Sequence, residues 1–213
     1  MYTQHGVIYG IQSYQILWNN RFIGDVGNRC LVCVDGIHFK INEPRPFSSK
    51  WNSHKLGGAG LAYELVTNIM TGDIVSYNGP FPAGEWSDIK IFRNQTRKHL
   101  GRGEKVLADL GYQGDEKVVT KIDSRNAAHS YGMGCARDRH ETVNRRLRTW
   151  SALKQSFRHS RHKHNYIFRS VAVLEQARMN LGERPFQVDN YIDPVLVRPV
   201  SDDGVTKRYL HEL

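Results

Sequence analysis

The sequence predicts an α/β fold, a mixed β-sheet with helices packed against it. Three observations carry this. Apolar extended stretches follow one another through short turns in the first half of the chain. A helix-like stretch then leads to a further strand. Two amphipathic stretches follow in the second half.

Residues 30–41, CLVCVDGIHFKI, are rich in β-branched and apolar residues and read as a central strand buried on both faces. A polar loop with Pro44, Pro46, Gly57 and Gly58 follows. Residues 60–69 read as a second strand, 70–73 as a turn and 74–77 as a third strand, an antiparallel meander. Residues 79–84 form a Pro/Gly loop. Ser87 or Asp88 can cap a helix running to about Leu100, closed at Gly101 and Gly103. Residues 105–108 are a short strand that delivers Asp109, with Gly111 and Gly114 marking the turn beyond. Residues 115–136 carry no readable pattern. Residues 139–157 read as a helix with the apolar stripe Val143, Leu147, Trp150, Leu153 and Phe157; Glu141, Asn144, Arg145 and Arg148 fall on its polar side. A second helix, 166–181, carries Ile167, Val171, Leu174 and Met179, and Gly182 and Pro185 stop it. The organisation is an arm or short helix over 1–29, a core over 30–188 and a loose tail over 189–213.

The chain has 213 residues, enough for one sizeable core. No apolar run approaches the roughly 20 residues that span a bilayer, so no membrane partner is expected. The N-terminus lacks the basic and apolar regions of a secretory signal. Cys30, Cys33 and Cys135 make no even-numbered framework, so a reducing compartment is expected. The net charge is +9. From Arg137 to Arg169, ten Arg or Lys residues face only Asp138 and Glu141, a net of +8. That excess is either a solvated helix face or a surface for a polyanion; clustered cations favour nucleic acid.

Three acidic residues stand in strong local contexts. Asp35 lies within an apolar strand, where an unpaired carboxylate is costly. Asp109 ends a strand, and Glu141 opens a basic helix. Carboxylates from two strands and a helix can hold two Mg²⁺ ions about 4 Å apart, as phosphodiester cleavage requires. Each residue also has a plainer reading. Asp35 before Gly36 fits a bulge or turn, Asp109 an ordinary strand end, and Asp138 with Glu141 a helix-capping pair.

Four blocks resemble the DDE superfamily endonuclease domain of PIF/Harbinger-type transposases. They are Val34-Asp35-Gly36, the Asn78–Asp88 loop, Ala108–Gly114, and Arg139–Arg146 with Phe157-Arg158-His159 downstream. They run in family order from about residue 30 to about 188. The resemblance implies an RNase H-like fold, a mixed five-stranded sheet flanked by helices. It implies that Asp35, Asp109 and Glu141 are catalytic and bind two divalent ions, Mg²⁺ or Mn²⁺. It implies DNA strand cleavage followed by attack of the freed 3′-hydroxyl on a target phosphate. Asp88 is then a supporting acid, beside its reading as a helix cap. Arg145, Arg148, Lys154, Arg158, Arg161 and Lys163 are the expected phosphate contacts. Trp86 either stacks on an unpaired base or packs in the core. Nuclear residence follows if the source is eukaryotic, and cytoplasmic residence otherwise. Only 34 residues precede Asp35, too few for the DNA-binding region that complete transposases of this type carry; a truncated copy, a gene-model fragment and a core served by a separate DNA-binding protein are the open readings, and a homo-oligomer is compatible with them. Leu110 stands where relatives often carry a polar residue.

Two other readings compete. Cys30-x-x-Cys33 with His159, His162 and His164 invites a zinc module, but residues three apart on a strand point to opposite faces. The other is a catalytically inactive, transposase-derived DNA-binding or interaction protein.

Overall fold

In a computed structural model of the protein, residues 16–25, 27–120, 127–188 and 191 are described. Six strands form one sheet: β1 (Cys30–Lys40), β2 (Asn52–Ser53), β3 (Gly58–Asn68), β4 (Ile74–Pro82), β5 (Lys105–Leu107) and β6 (Val118–Val119). The helices are α1 (Asp88–Asn94), α2 (Ala127–Thr149), α3 (Ser151–Lys154) and α4 (His162–Asn180). β3 pairs antiparallel with β1 on one edge and with β4 and the two-residue β2 on the other. β5 and β6 add parallel on the far side of β1. The mixed sheet is therefore as expected, with β2 as an extra short edge.

β1 is central because almost every residue in it is apolar, so both of its faces need cover. Leu31, Val32 and Val34 pack with Phe92 of α1, Val106 and Tyr112 on one face. Ile37, Phe39 and Ile41 pack with Val143, Leu147, Phe168 and Val171 of α2 and α4 on the other. Two side chains pin α4 to this face. Gln176 accepts from the Ile74 backbone N–H at 2.8 Å and donates to Asp73 at 2.8 Å. Phe168 stacks on Tyr63 with ring centroids 4.2 Å apart.

Several boundaries differ from expectation, each for a local reason. β4 continues to Pro82 instead of giving way to a loop at Gly79. Gly79 takes φ +138°, and a Cβ there would lie 2.6 Å from the Tyr63 ring, so only glycine lets the strand pass. α1 stops at Asn94, and a 3₁₀ turn, Thr96–His99, finishes the segment. α2 begins at Ala127, twelve residues early; Gly132 and Gly134 in its first part lower helix propensity and hide the period. It ends at Thr149, and the chain breaks at Trp150 before α3. Leu153 and Phe157 nevertheless reach the same core as Val143 and Leu147. On α4 the buried stripe runs through Phe168, Val171, Ala172 and Met179, while Leu174 is exposed.

The described part of the N-terminal arm is a 3₁₀ turn, Trp18–Phe22, in which Arg21 packs on Trp18 and Phe22 and pairs with Glu104. Residues 1–15 lie outside the described residues, as does the expected tail apart from Tyr191, which donates to the Cys30 carbonyl.

Phe168 lies at the junction of α4 and the sheet, so Phe168→Ala should cost about 3–5 kcal/mol of stability. Urea unfolding measures it; a loss below about 1 kcal/mol would contradict this packing.

Candidate functional site

The parallel register of β1 and β5 places Cys33 opposite Leu107. Two residues further on stand Asp35, within β1 and facing α2 because side chains alternate, and Asp109, just past the end of β5 and lining the same cavity. Both Asp35 oxygens are engaged. Oδ1 accepts from the Gly36 backbone N–H at 2.7 Å and Oδ2 from the Asn144 amide at 2.7 Å. Asp109 Oδ1 accepts from the Gly111 N–H at 2.9 Å and opens a 3₁₀ turn, Leu110–Tyr112. Burial pushes the Asp35 carboxyl up to about 6. The Lys55 ammonium and the Gly36 N–H oppose that rise, and Asp109 and Asp88 add to it.

α2 closes the site from above. Asp35, Asp109 and Glu141 line one cavity of about 390 Å³, together with Arg137, Asp138, His140 and Cys33. Glu141 stands in the interior of a 23-residue helix, far from its N-terminus. The capping explanation for Asp138 and Glu141 therefore falls. Arg148, two turns on, comes within 3.9 Å of Glu141. Asn144 was expected on the polar, outward side; it is fully buried and holds Asp35. Its Oδ1 has no partner among the described residues. Helical periodicity could not have found this, because it assigns polar residues to solvent.

Among the described residues, no three His, Cys, Asp or Glu side chains converge closely enough to chelate one ion. The donor set nonetheless fits a hard divalent cation. All the candidate ligands are carboxylates, one ion takes only one or two of them, and Asp35 is a buried acid whose charge is under-compensated.

Asp88 approaches from the opposite face of β1. Ser87 takes the N-cap position with no side-chain capping bond, and Asp88 falls in the first turn of α1. Its carboxylate packs on Gly36, where a Cβ would lie 2.0 Å from Asp88 Oδ1. A Cβ on Gly111 would lie 3.0 Å from Asp109 Oδ1 and 3.6 Å from Asp88 Oδ2. Two glycines thus make room for a further carboxylate beside the first two. Lys55 pairs with Asp88 at 2.9 Å. His38 Nε2 approaches it at 3.9 Å, but burial and Lys55 hold that imidazole down to about 4, so it is neutral at pH 7. Glu64, the cross-strand partner of Gly36, is fully buried, bonded to Thr96 and Asn78, and pushed up to about 7 by burial.

The expected phosphate contacts Arg145, Arg148, Lys154, Arg158, Arg161 and Lys163 are all exposed. Part of the basic excess is spent internally. Arg139 is buried, and Arg146 pairs with the buried Glu175. Arg137, within the basic segment but not singled out in the sequence, lines the carboxylate cavity. Trp86 stacks on Phe81 at 4.5 Å and carries Lys90 over its ring at 4.6 Å, so its packing partners come from the protein.

Cys30 and Cys33 were expected on opposite faces. A register shift between Cys30 and Val32 instead puts both in one cluster with Ile69, Leu107 and Met133. The three histidines have other surroundings. His164 is buried against the Tyr63 hydroxyl, His162 bonds Ser160, and His159 lies edge-on to Phe157.

Because the folded Asp35 carboxyl titrates near 6 and an ordinary one near 3.8, the native state holds the extra proton between those values. Its contribution is therefore lost as pH rises from about 4 to about 6, by about 3 kcal/mol at about 1.4 kcal/mol per unit. Asp35→Asn removes the charge; its single oxygen can still accept from the Gly36 N–H, and its NH₂ can donate to the partnerless Asn144 Oδ1 once that amide turns over. Metal-free, it should melt above the wild type at pH 7 and match it near pH 4. A variant less stable than wild type at pH 7 would contradict this.

No curated protein and no solved structure matches the chain. The family model described as DDE superfamily endonuclease matches residues 34–176, two thirds of the sequence. That segment contains Asp35, Asp88, Asp109 and Glu141, and the chain belongs to the DDE superfamily endonuclease family.

Proposed function

We propose that this chain is a metal-dependent DNA nuclease core of the PIF/Harbinger transposase type, with an RNase H-like sheet. One observation carries the reading: Asp35 and Asp109, from adjacent parallel strands, share a cavity with Glu141 of the helix above them. The strand order β4-β3-β1-β5-β6, three antiparallel then two parallel, supports the fold assignment.

Asp35, Asp109 and Glu141 would hold Mg²⁺ or Mn²⁺, two ions in the family scheme. When bound, the ions supply an activated water and charge stabilisation at the leaving oxygen. The chain's own groups do the rest. Asp35 is ionised above about pH 6, and Asn144 and the Gly36 N–H fix its carboxylate plane. Arg137, beside the carboxylates, offers a bidentate fork to a phosphate. Arg145, Arg148, Lys154, Arg158, Arg161 and Lys163 extend that contact along the backbone. In the cleavage step the water oxygen bonds to phosphorus and the bond to the 3′-oxygen breaks. The 3′-oxygen takes up a proton, leaving a 3′-hydroxyl and a 5′-phosphate. That 3′-hydroxyl is then the nucleophile for strand transfer. A separate DNA-binding protein selecting the ends, and nuclear residence in a eukaryotic source, complete the proposal.

The lack of a three-ligand cluster among the described residues favours one rival, an inactive descendant that only binds DNA. Cleavage of a labelled duplex with Mg²⁺ or Mn²⁺ separates the two. Asp35→Ala and Asp109→Ala should each lower the rate by at least on the order of a hundredfold, the loss expected for one group that stabilises transition-state charge. Cleavage unchanged in Asp109→Ala would sink the nuclease reading, and salt-sensitive binding without any cleavage would support the rival.

Each phosphate contact adds about 0.9 to the slope of log affinity against log salt. Replacing Arg145 and Arg148 with Ser should therefore flatten that slope by about 2. An affinity already flat between low and moderate salt in the wild type would exclude a phosphate-tracking surface.

A further inference from the structure

We infer that Lys55 is a phosphate-contacting residue of this site and that Asp88 is the positioning residue that holds it there. The inference rests on the nuclease reading above and adds a cation from outside the basic helix segment.

Lys55 lies in the turn joining β2 to β3, and that turn is anchored. Ser53 is fully buried, shares a 2.7 Å hydrogen bond with His38 Nδ1, and accepts from the Leu56 N–H through its hydroxyl. The Lys55 ammonium donates to Asp88 Oδ2 at 2.9 Å and to the Gly36 carbonyl at 3.2 Å. An ammonium has three donors, so one remains for a ligand. The Gly36 carbonyl belongs to the residue next to Asp35, which fixes the cation beside the first acidic residue. Among the charges acting on the Asp35 carboxyl, Lys55 is the strongest.

A plain counter-ion role for Lys55 explains less. The Asp88 side chain is only 12% exposed, lodged over Gly36, whereas that of Lys55 is 43% exposed. The acid is sunk and the cation is presented. Asp88 receives a lysine from an anchored turn, and the absent Cβ of Gly36 lets the pair sit against β1. The site gathers several carboxylates, and a phosphodiester brings more negative charge. A cation held next to Asp35 but directed to solvent offsets that repulsion where the strand must approach.

The test uses the full chain and a fluorescein-labelled DNA duplex. Binding is read without metal across a salt series, and cleavage with Mn²⁺ at subsaturating DNA. Lys55→Met should flatten the salt slope by about 0.9, the share of one phosphate, and lower cleavage about tenfold with melting little changed. Lys55→Arg should keep most of both, because it restores the charge. Asp88→Asn should give a smaller loss of the same kind, since the lysine remains but is no longer held. If Lys55→Met lowers melting yet keeps the wild-type slope and rate, Lys55 is a counter-ion only and the inference is overturned while the nuclease reading stands. A wild type that neither binds with salt dependence nor cleaves would overturn both.

Discussion

A carboxylate set into the middle of a sheet must be given donors, and Asp35 imposes that demand on the elements around it. Burial strips much of the water from it, because β1 is largely apolar and covered on both faces. The Gly36 backbone provides one donor and Asn144 the other. The second bond reaches across from a helix, so it fixes more than a rotamer. It sets the rotation and height of α2 over β1. Glu141, one turn earlier on the same helix, is thereby aimed into the cavity that Asp35 and Asp109 share. Even so, Asp35 remains harder to ionise than a free carboxyl. Its two donors do not fully replace hydration, and that shortfall is what a bound cation would fill.

Sequence reasoning reached the parts of this arrangement that follow from local pattern. β1 was legible because nothing but a doubly covered strand explains CLVCVDGIHFKI. Asp35 and Asp109 were legible because each interrupts or ends such a strand. Glu141 was legible only by resemblance, since its apparent position at a helix start allowed a capping role. That start was misplaced because Gly132 and Gly134 mask the first turns of α2. Asn144 was hidden for a deeper reason: a helical stripe counts apolar residues as inward and polar ones as outward. A polar residue buried to serve another polar residue breaks that rule by design of the site. Lys55 gave no signal at all, because its partners lie 19 and 33 residues away along the chain. The irregular pairing at Cys30 was likewise invisible, as strand alternation assumes no register shift.

The Asp-Gly pair at 35 and 36 shows how one strand serves two sides. Alternation sends Asp35 toward α2 and leaves position 36 facing α1. Any side chain there would collide with Asp88. Glycine turns that position into a socket, and the α1 N-terminus delivers an acid into it. The same face holds Glu64 and His38, both buried and both shifted toward their neutral forms. The Asp88–Lys55 ion pair lies beside them on that side.

The two faces of β1 therefore carry opposite electrostatic work. On the α2 side, Asp35, Asp109 and Glu141 share a cavity and burial leaves Asp35 under-compensated, which suits a divalent cation. On the α1 side, Asp88 is matched to Lys55, whose side chain is partly exposed. The basic residues of α2, Arg145 and Arg148, and those that follow it are exposed on the helical layer. A polyanion drawn to them meets carboxylates that would repel it. Cations held by the protein beside those carboxylates, Arg137 on one side and Lys55 on the other, make the approach electrostatically reasonable. On the nuclease reading proposed above, the carboxylates and their flanking cations serve one end, since a phosphodiester needs the cations in order to approach the acids.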